Sequence, residues 1–115
     1  MKIAIIGSRG LRIDDLGKYL PPDCTEIVSG GARGVDTCAR YYAKAKGIPL
    51  KEFLPDYRTY GSQAPLKRNL LIVDYADVVY AFWDGSSRGT RHVMEYAKAT
   101  GKPLKLFCPV RPKKI

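Results

Sequence analysis

The chain has little with which to hold a metal. Its 115 residues include one histidine and three cysteines, Cys24, Cys38 and Cys108, widely spaced and without a CxxC pair, which argues against a structural zinc site. These thiols read as reduced side chains, with Cys38 packed on a helix, in place of a redox pair or a disulfide frame. No apolar run approaches the roughly 20 residues that a membrane helix needs, and residues 1–8 form a strand-like start where a signal peptide would stand. A cytoplasmic location is therefore expected. No lysine and hydroxyl pair follows the glycines of the turn at Ser29 to Asp36, so ATP hydrolysis of the Walker type is not supported. Internal repeats and linkers are absent, and neither metal nor cofactor is expected.

Acidic residues are scarce: 11 Asp and Glu stand against 20 Lys and Arg, a net charge of +9. Three of the positive charges sit in the tail Arg111-Pro112-Lys113-Lys114, and the rest of the chain still carries +6. A surplus that survives this subtraction points to an anionic partner, either a phosphorylated small molecule or nucleic acid. The length bounds the chain to one domain, read as residues 1–110 followed by a basic tail at 111–115.

What is present is an alternation of strands and helices. Lys2 to Ile6 is a continuous apolar run ending in Gly7-Ser8-Arg9-Gly10, the pattern of a buried strand and a tight loop. A helix is expected over Leu11 to Leu20, stopped by Pro21-Pro22, then a strand over Thr25 to Ser29. A second helix is expected from Val35 to Lys46, with Val35, Cys38, Ala39, Tyr42 and Ala43 at spacings of three and four and Gly47 as its stop. Ile48 to Leu54 reads as a strand and Pro55 to Ala64 as a polar loop. A helix opens at Pro65 with Leu66, Leu70 and Val73 along one side. Asp77 to Trp83 is a strand, Asp84 to Gly89 a loop, Thr90 to Thr100 a helix, and Pro103 to Phe107 the last strand. Short connections between alternating elements predict an α/β fold, five mainly parallel strands with helices on both faces.

In such sheets ligands bind beyond the carboxyl ends of the strands. The loops expected there carry the chemistry. Gly7, Ser8 and Arg9 follow the first strand, and Ser29-Gly30-Gly31-Ala32-Arg33-Gly34-Val35-Asp36 follows the second. Glycines admit an anion close to the backbone, and the next helix start favours negative charge. Serving backbone geometry alone is the other reading of this turn. Asp36 is placed to cap the helix, pair with Arg33, or bond a ribose hydroxyl. Gly85-Ser86-Ser87-Arg88-Gly89-Thr90, with Arg88 and Arg91 close by, forms a second anion-binding candidate. Arg68, beside Asn69, is either part of a solvated helix face or a phosphate clamp. Tyr57, Tyr60 and Trp83 are candidates to stack a base. Asp84, His92 and Glu95 are the acid–base groups near the second loop.

Taken together, Gly7-Ser8-Arg9, the Ser29 to Asp36 turn, Arg68-Asn69 and Ser87-Arg88-Gly89-Thr90 resemble the SLOG superfamily, in particular its stand-alone YspA/YpsA-related branch. The superfamily includes the Lonely Guy phosphoribohydrolases and the DNA-processing protein A family, which carries a similar SGxARGxD stretch. The resemblance covers nearly the whole chain. It implies a Rossmann-like fold that binds a nucleotide or phosphoribosyl ligand, such as ADP-ribose or a nucleoside phosphate, as a sensor or nucleotide-processing domain. It also implies that relatives assemble, so a homodimer is expected. The Lonely Guy enzymes carry PGGxGTxxE; aligned on Gly89-Thr90, Val93 falls where their catalytic glutamate stands.

Three readings follow. The first is nucleotide binding through Gly7, Ser8, Arg9, Ser29, Gly30, Gly31, Arg33, Gly34, Asp36, Arg68, Asn69, Ser87, Arg88, Gly89 and Thr90. The second is hydrolysis of a nucleoside monophosphate, with Glu95 or Asp84 activating water and Arg68 or Arg88 holding phosphate. The third is binding of single-stranded nucleic acid, suggested by the positive charge.

Overall fold

The computed structural model describes residues 1–108. The basic tail at 111–115 lies outside the described residues. Five strands, β1 (Lys2–Gly7), β2 (Glu26–Ser29), β3 (Leu50–Glu52), β4 (Val78–Phe82) and β5 (Leu104–Phe107), form one parallel sheet in the order β3-β2-β1-β4-β5. The helices are α1 (Val35–Lys46), α2 (Tyr57–Tyr60), α3 (Ala64–Tyr75) and α4 (Arg88–Thr100). This is the Rossmann-like α/β arrangement. No helix among the described residues is long and apolar enough to cross a membrane.

Strand alternation divides the core between the two sheet faces. On one face Ile3 and Ile5 of β1 and Val78, Tyr80 and Phe82 of β4 pack with Val35, Ala39 and Ala43 of α1. On the other, Ala4, Ile6, Val79 and Ala81 meet Ile72 and Val73 of α3 and Val93, Met94 and Ala97 of α4. Both central strands are thus apolar on both sides, which is why they read as unbroken hydrophobic runs. Helix α1 ends at Gly47, whose left-handed φ of 67° lets its N–H reach the carbonyls of Ala43 and Lys44.

Four expectations are corrected. The segment Leu11 to Leu20 is not a helix: only Leu16–Tyr19 makes a 3₁₀ turn. Leu11 and Ile13 are both buried, and two residues apart on a helix they would face about 200° apart; an extended path buries both. The third strand is shorter than Ile48 to Leu54, although bonds from Ile27 N to Pro49 O and from Phe53 N to Ser29 O continue its pairing by one residue each way. The polar loop from Pro55 contains α2, capped by Asp56, whose carboxylate accepts from Thr59 N at 3.1 Å and Thr59 Oγ1 at 2.7 Å. On α3, Leu66 is exposed, and the buried residues are Ala64, Asn69, Ile72 and Val73, with Ala76 buried just past the helix end. A polar residue in an apolar stripe needs a partner, and Asn69 has two, described below.

Candidate functional site

Strands β1 and β4 lie side by side in register from Ile3↔Val78 to Gly7↔Phe82. The chain leaves β1 toward β2 and leaves β4 toward β5, on opposite sides, so a crevice opens beyond their carboxyl ends. It holds a cavity of about 390 Å³. Gly7, Arg9 and Gly10 line it from the β1 loop, Gly30, Ala32 and Asp36 from the turn into α1, and Arg68 and Asn69 from α3. Asp84, Ser87, Arg88, Gly89 and Thr90 line it from the turn into α4.

A buried hydroxyl ties two of these loops together. Ser8 Oγ donates to Ser87 Oγ at 3.1 Å and accepts from Asp84 N at 3.0 Å. Asp84 in turn accepts from the backbone N–H groups of Ser86 and Ser87, each at 2.8 Å. Those amides hold its carboxyl below the ordinary carboxylate range. Asp84 is therefore an anion turned onto its own loop. Trp83 completes the clasp by donating from Nε1 to Ser87 O at 3.0 Å.

The start of α4 is open by comparison. Its N-cap, Ser87, makes no side-chain capping bond, and the helix begins at Arg88, two residues before the expected Thr90. Gly89 therefore lies in the first helical turn. A Cβ added there would meet nothing within 4 Å.

The glycine-rich turn is built differently. Gly34 has φ +74°, and a Cβ on it would lie 2.5 Å from Arg9 O and 2.7 Å from Ser8 O; only glycine lets this turn press against the β1 loop. Asp36, in the first turn of α1, is 5% exposed, and its Oδ2 accepts from Ala32 N at 3.2 Å. Burial pushes its carboxyl up to about 6, opposed by bonds from the Ala32 and Gly30 amides and by the positive charge of Arg68. Gly31 N donates to Ser29 Oγ at 3.3 Å. The turn expected to cradle phosphate thus already holds a carboxylate of its own chain.

Arg68 closes this side of the cavity. Its Nη1 donates to Gly30 O at 2.7 Å and its Nε to Asn69 Oδ1 at 2.9 Å. With Oδ1 so engaged, Asn69 Nδ2 is the donor in its 3.2 Å bond to His92 Nδ1, which places the ring proton of His92 on Nε2. Burial lowers the pKa of Arg68 from its ordinary value, partly offset by Asp36.

A scan against known protein families found no match, and no solved structure matches the chain. The Gene 61 protein of Mycobacterium phage D29 is 38% identical over 84 residues, covering 68% of this chain and 67% of that protein. The chain belongs to the Gene 61 protein family. That family's name states no activity.

Of the residues singled out from the sequence, this Gene 61 family member brings Gly7, Arg9, Gly30, Asp36, Arg68, Asn69, Asp84, Ser87, Arg88, Gly89 and Thr90 to one cavity. Ser8 and Ser29 lie buried behind it as hydrogen-bonding supports. Gly31 and Gly34 shape the turn without lining the cavity. Arg33 is exposed and outside it; Arg68, from a distant helix, holds the place expected for Arg33. Glu95 also falls outside, exposed on α4 with Arg91 Nε 3.9 Å away, while Val93 is buried and lines the cavity. The exposed rings of Tyr57 and Tyr60 do not line it. Pro65 and Leu66 of α3 do line it, a contribution that the sequence reading missed by assigning Leu66 to the apolar side of the helix.

Proposed function

We propose that the chain binds a nucleotide or phosphoribosyl-type ligand at the carboxyl ends of β1 and β4, with its phosphate on the first turn of α4. The observation that carries this reading is the unfilled space over Gly89. Glycine in a helix costs about 1 kcal/mol relative to alanine, and here no packing contact requires it. The start of α4 has no side-chain cap, and Arg9, Arg68 and Arg88 share the cavity wall. An anion seated there receives backbone N–H groups, the helix dipole and guanidinium charge together. The cavity volume of about 390 Å³ suits a small ligand, near the lower end of the roughly 300–1,000 Å³ typical of such pockets.

The carboxylate in the glycine-rich turn favours one phosphate over a bridged pair, because the second cradle is occupied by Asp36. The resemblance to the SLOG superfamily supports the same ligand class. Binding is better supported than N-glycosidic hydrolysis: Val93 has no proton to exchange, Glu95 is outside the cavity, and Asp84 is engaged by its own loop.

Thermal unfolding with adenosine monophosphate, ribose 5-phosphate and ADP-ribose tests this. A ligand at 100 times its Kd adds about 2.7 kcal/mol to stability, a shift of several degrees. Arg88→Ala should lose that shift, and Arg33→Ala should keep it. A flat response to the whole panel sinks the reading.

A further inference from the structure

The cavity wall formed by the turn into α1 carries a buried carboxylate with no ion-pair partner. Asp36 forms no salt bridge among the described residues, although Arg68 is its neighbour across Gly30. A Cβ on Gly30 would lie 2.7 Å from Arg68 Nη1 and 3.2 Å from Asp36 Oδ2. The guanidinium is committed instead to Gly30 O and Asn69 Oδ1. From β3, Glu52 faces Asp36 as a second negative charge, itself paired with Arg40 of α1 at 2.9 Å. Arg9, Asp84 and Arg88 complete the charged groups on the cavity wall.

An anion entering this cavity raises the free energy of the ionised carboxylate, because like charges that share a poorly solvated site disfavour joint ionisation. The carboxyl can take a proton without losing its bond from Ala32 N, since the oxygen that accepts that bond remains an acceptor when the other oxygen is protonated. We infer that Asp36 is the proton acceptor of this pocket, taking up a proton as an anionic ligand binds and so coupling occupancy to pH. The inference rests on the anion-binding reading above. Burial has already brought the carboxyl to about 6, so a nearby anion has only a short way to carry its titration past neutrality. Affinity for an anion of fixed charge then falls as pH rises above that value, by up to about tenfold per pH unit for one proton. Below it the dependence flattens, because the free protein already holds the proton.

Calorimetry of adenosine monophosphate binding near pH 7, in PIPES and in imidazole, counts the protons taken up from the difference in buffer ionisation heat. The wild type should take up more protons than Asp36→Asn, by a difference approaching one; proton exchange by the ligand's own phosphate is common to both and cancels. Carbon-13 NMR of the Asp36 carboxyl in the wild type needs no variant, and its titration midpoint should rise when adenosine monophosphate is added. Binding with equal proton uptake in the two proteins, or an unmoved midpoint in the bound wild type, overturns the inference and leaves ligand binding standing. No binding heat with either protein for adenosine monophosphate, ribose 5-phosphate or ADP-ribose overturns both.

Discussion

Replacing Gly89 by alanine should move stability and binding in opposite directions. Gly89 lies in the first turn of α4, its φ is not positive, and an added Cβ meets nothing within 4 Å. Alanine therefore fits without strain and restricts the unfolded chain, a gain of about 0.5–1 kcal/mol. For a domain of this size that is a rise in Tm of about 2–5 °C. The same methyl group occupies the space assigned to the phosphate and blocks close approach to the backbone N–H groups. Loss of one charge-assisted hydrogen bond, about 1.5–3 kcal/mol, weakens binding by roughly tenfold or more. Differential scanning calorimetry of the free protein and isothermal titration with the best ligand of the panel read the two effects separately. A stabilised variant that binds as tightly as the wild type would show that the phosphate does not sit over Gly89. A destabilised variant would show that the first turn of α4 is not open at that position.

Gly34→Ala should behave in the opposite way: a left-handed φ and a Cβ 2.5 Å from Arg9 O together cost about 2–5 kcal/mol, seen as a large fall in urea midpoint. Asp36→Asn should stabilise the protein above pH 6. The folded carboxyl near 6 binds protons more tightly than the unfolded one near 3.9, so its contribution to stability is complete below about pH 4 and lost as pH rises through about 6. The asparagine variant should gain on the wild type over that window, reaching about 2–3 kcal/mol by pH 8; parallel stability profiles would refute the raised pKa. Asn69→Ala removes the acceptor of Arg68 Nε and the donor to His92. It should cost about 1–3 kcal/mol and lower ligand affinity by freeing Arg68, measured by denaturant unfolding and titration.

The sheet was legible because β1 and β4 are buried on both faces, which leaves unbroken apolar runs with no competing helical period. Gly34 was marked by its motif as a turn glycine but counted among the ligand-binding residues; its positive φ was the local part of its role, and its close approach to the β1 loop was not legible. The Leu11 to Leu20 segment was misread because its leucines satisfy a helical face about as well as an extended path; the choice is made by α1, against which Gly17 packs so closely that a Cβ would lie 2.9 Å from Tyr42 Oη. Arg33 was placed at the site because it neighbours the glycines in sequence. The guanidinium that reaches them belongs to Arg68, whose bond to Gly30 spans 38 residues, and no local pattern encodes such a contact. Glu95 was carried as a candidate to activate water, and the structure leaves it outside the cavity; helix phase accounts for this, since a residue two places from a cavity-lining valine on α4 faces elsewhere.

The central β1–β4 pairing also sets when the site comes into being. The Ser8–Ser87 bond that joins two of the cavity's loops closes over 79 residues, and long-range closures of this kind form slowly compared with local contacts. A nascent or partly unfolded chain can build α1 and its turn while the pocket is still missing. Ligand binding is therefore a test of complete folding, and any ligand that binds here favours, by mass action, the state in which the loops after β1 and β4 are joined.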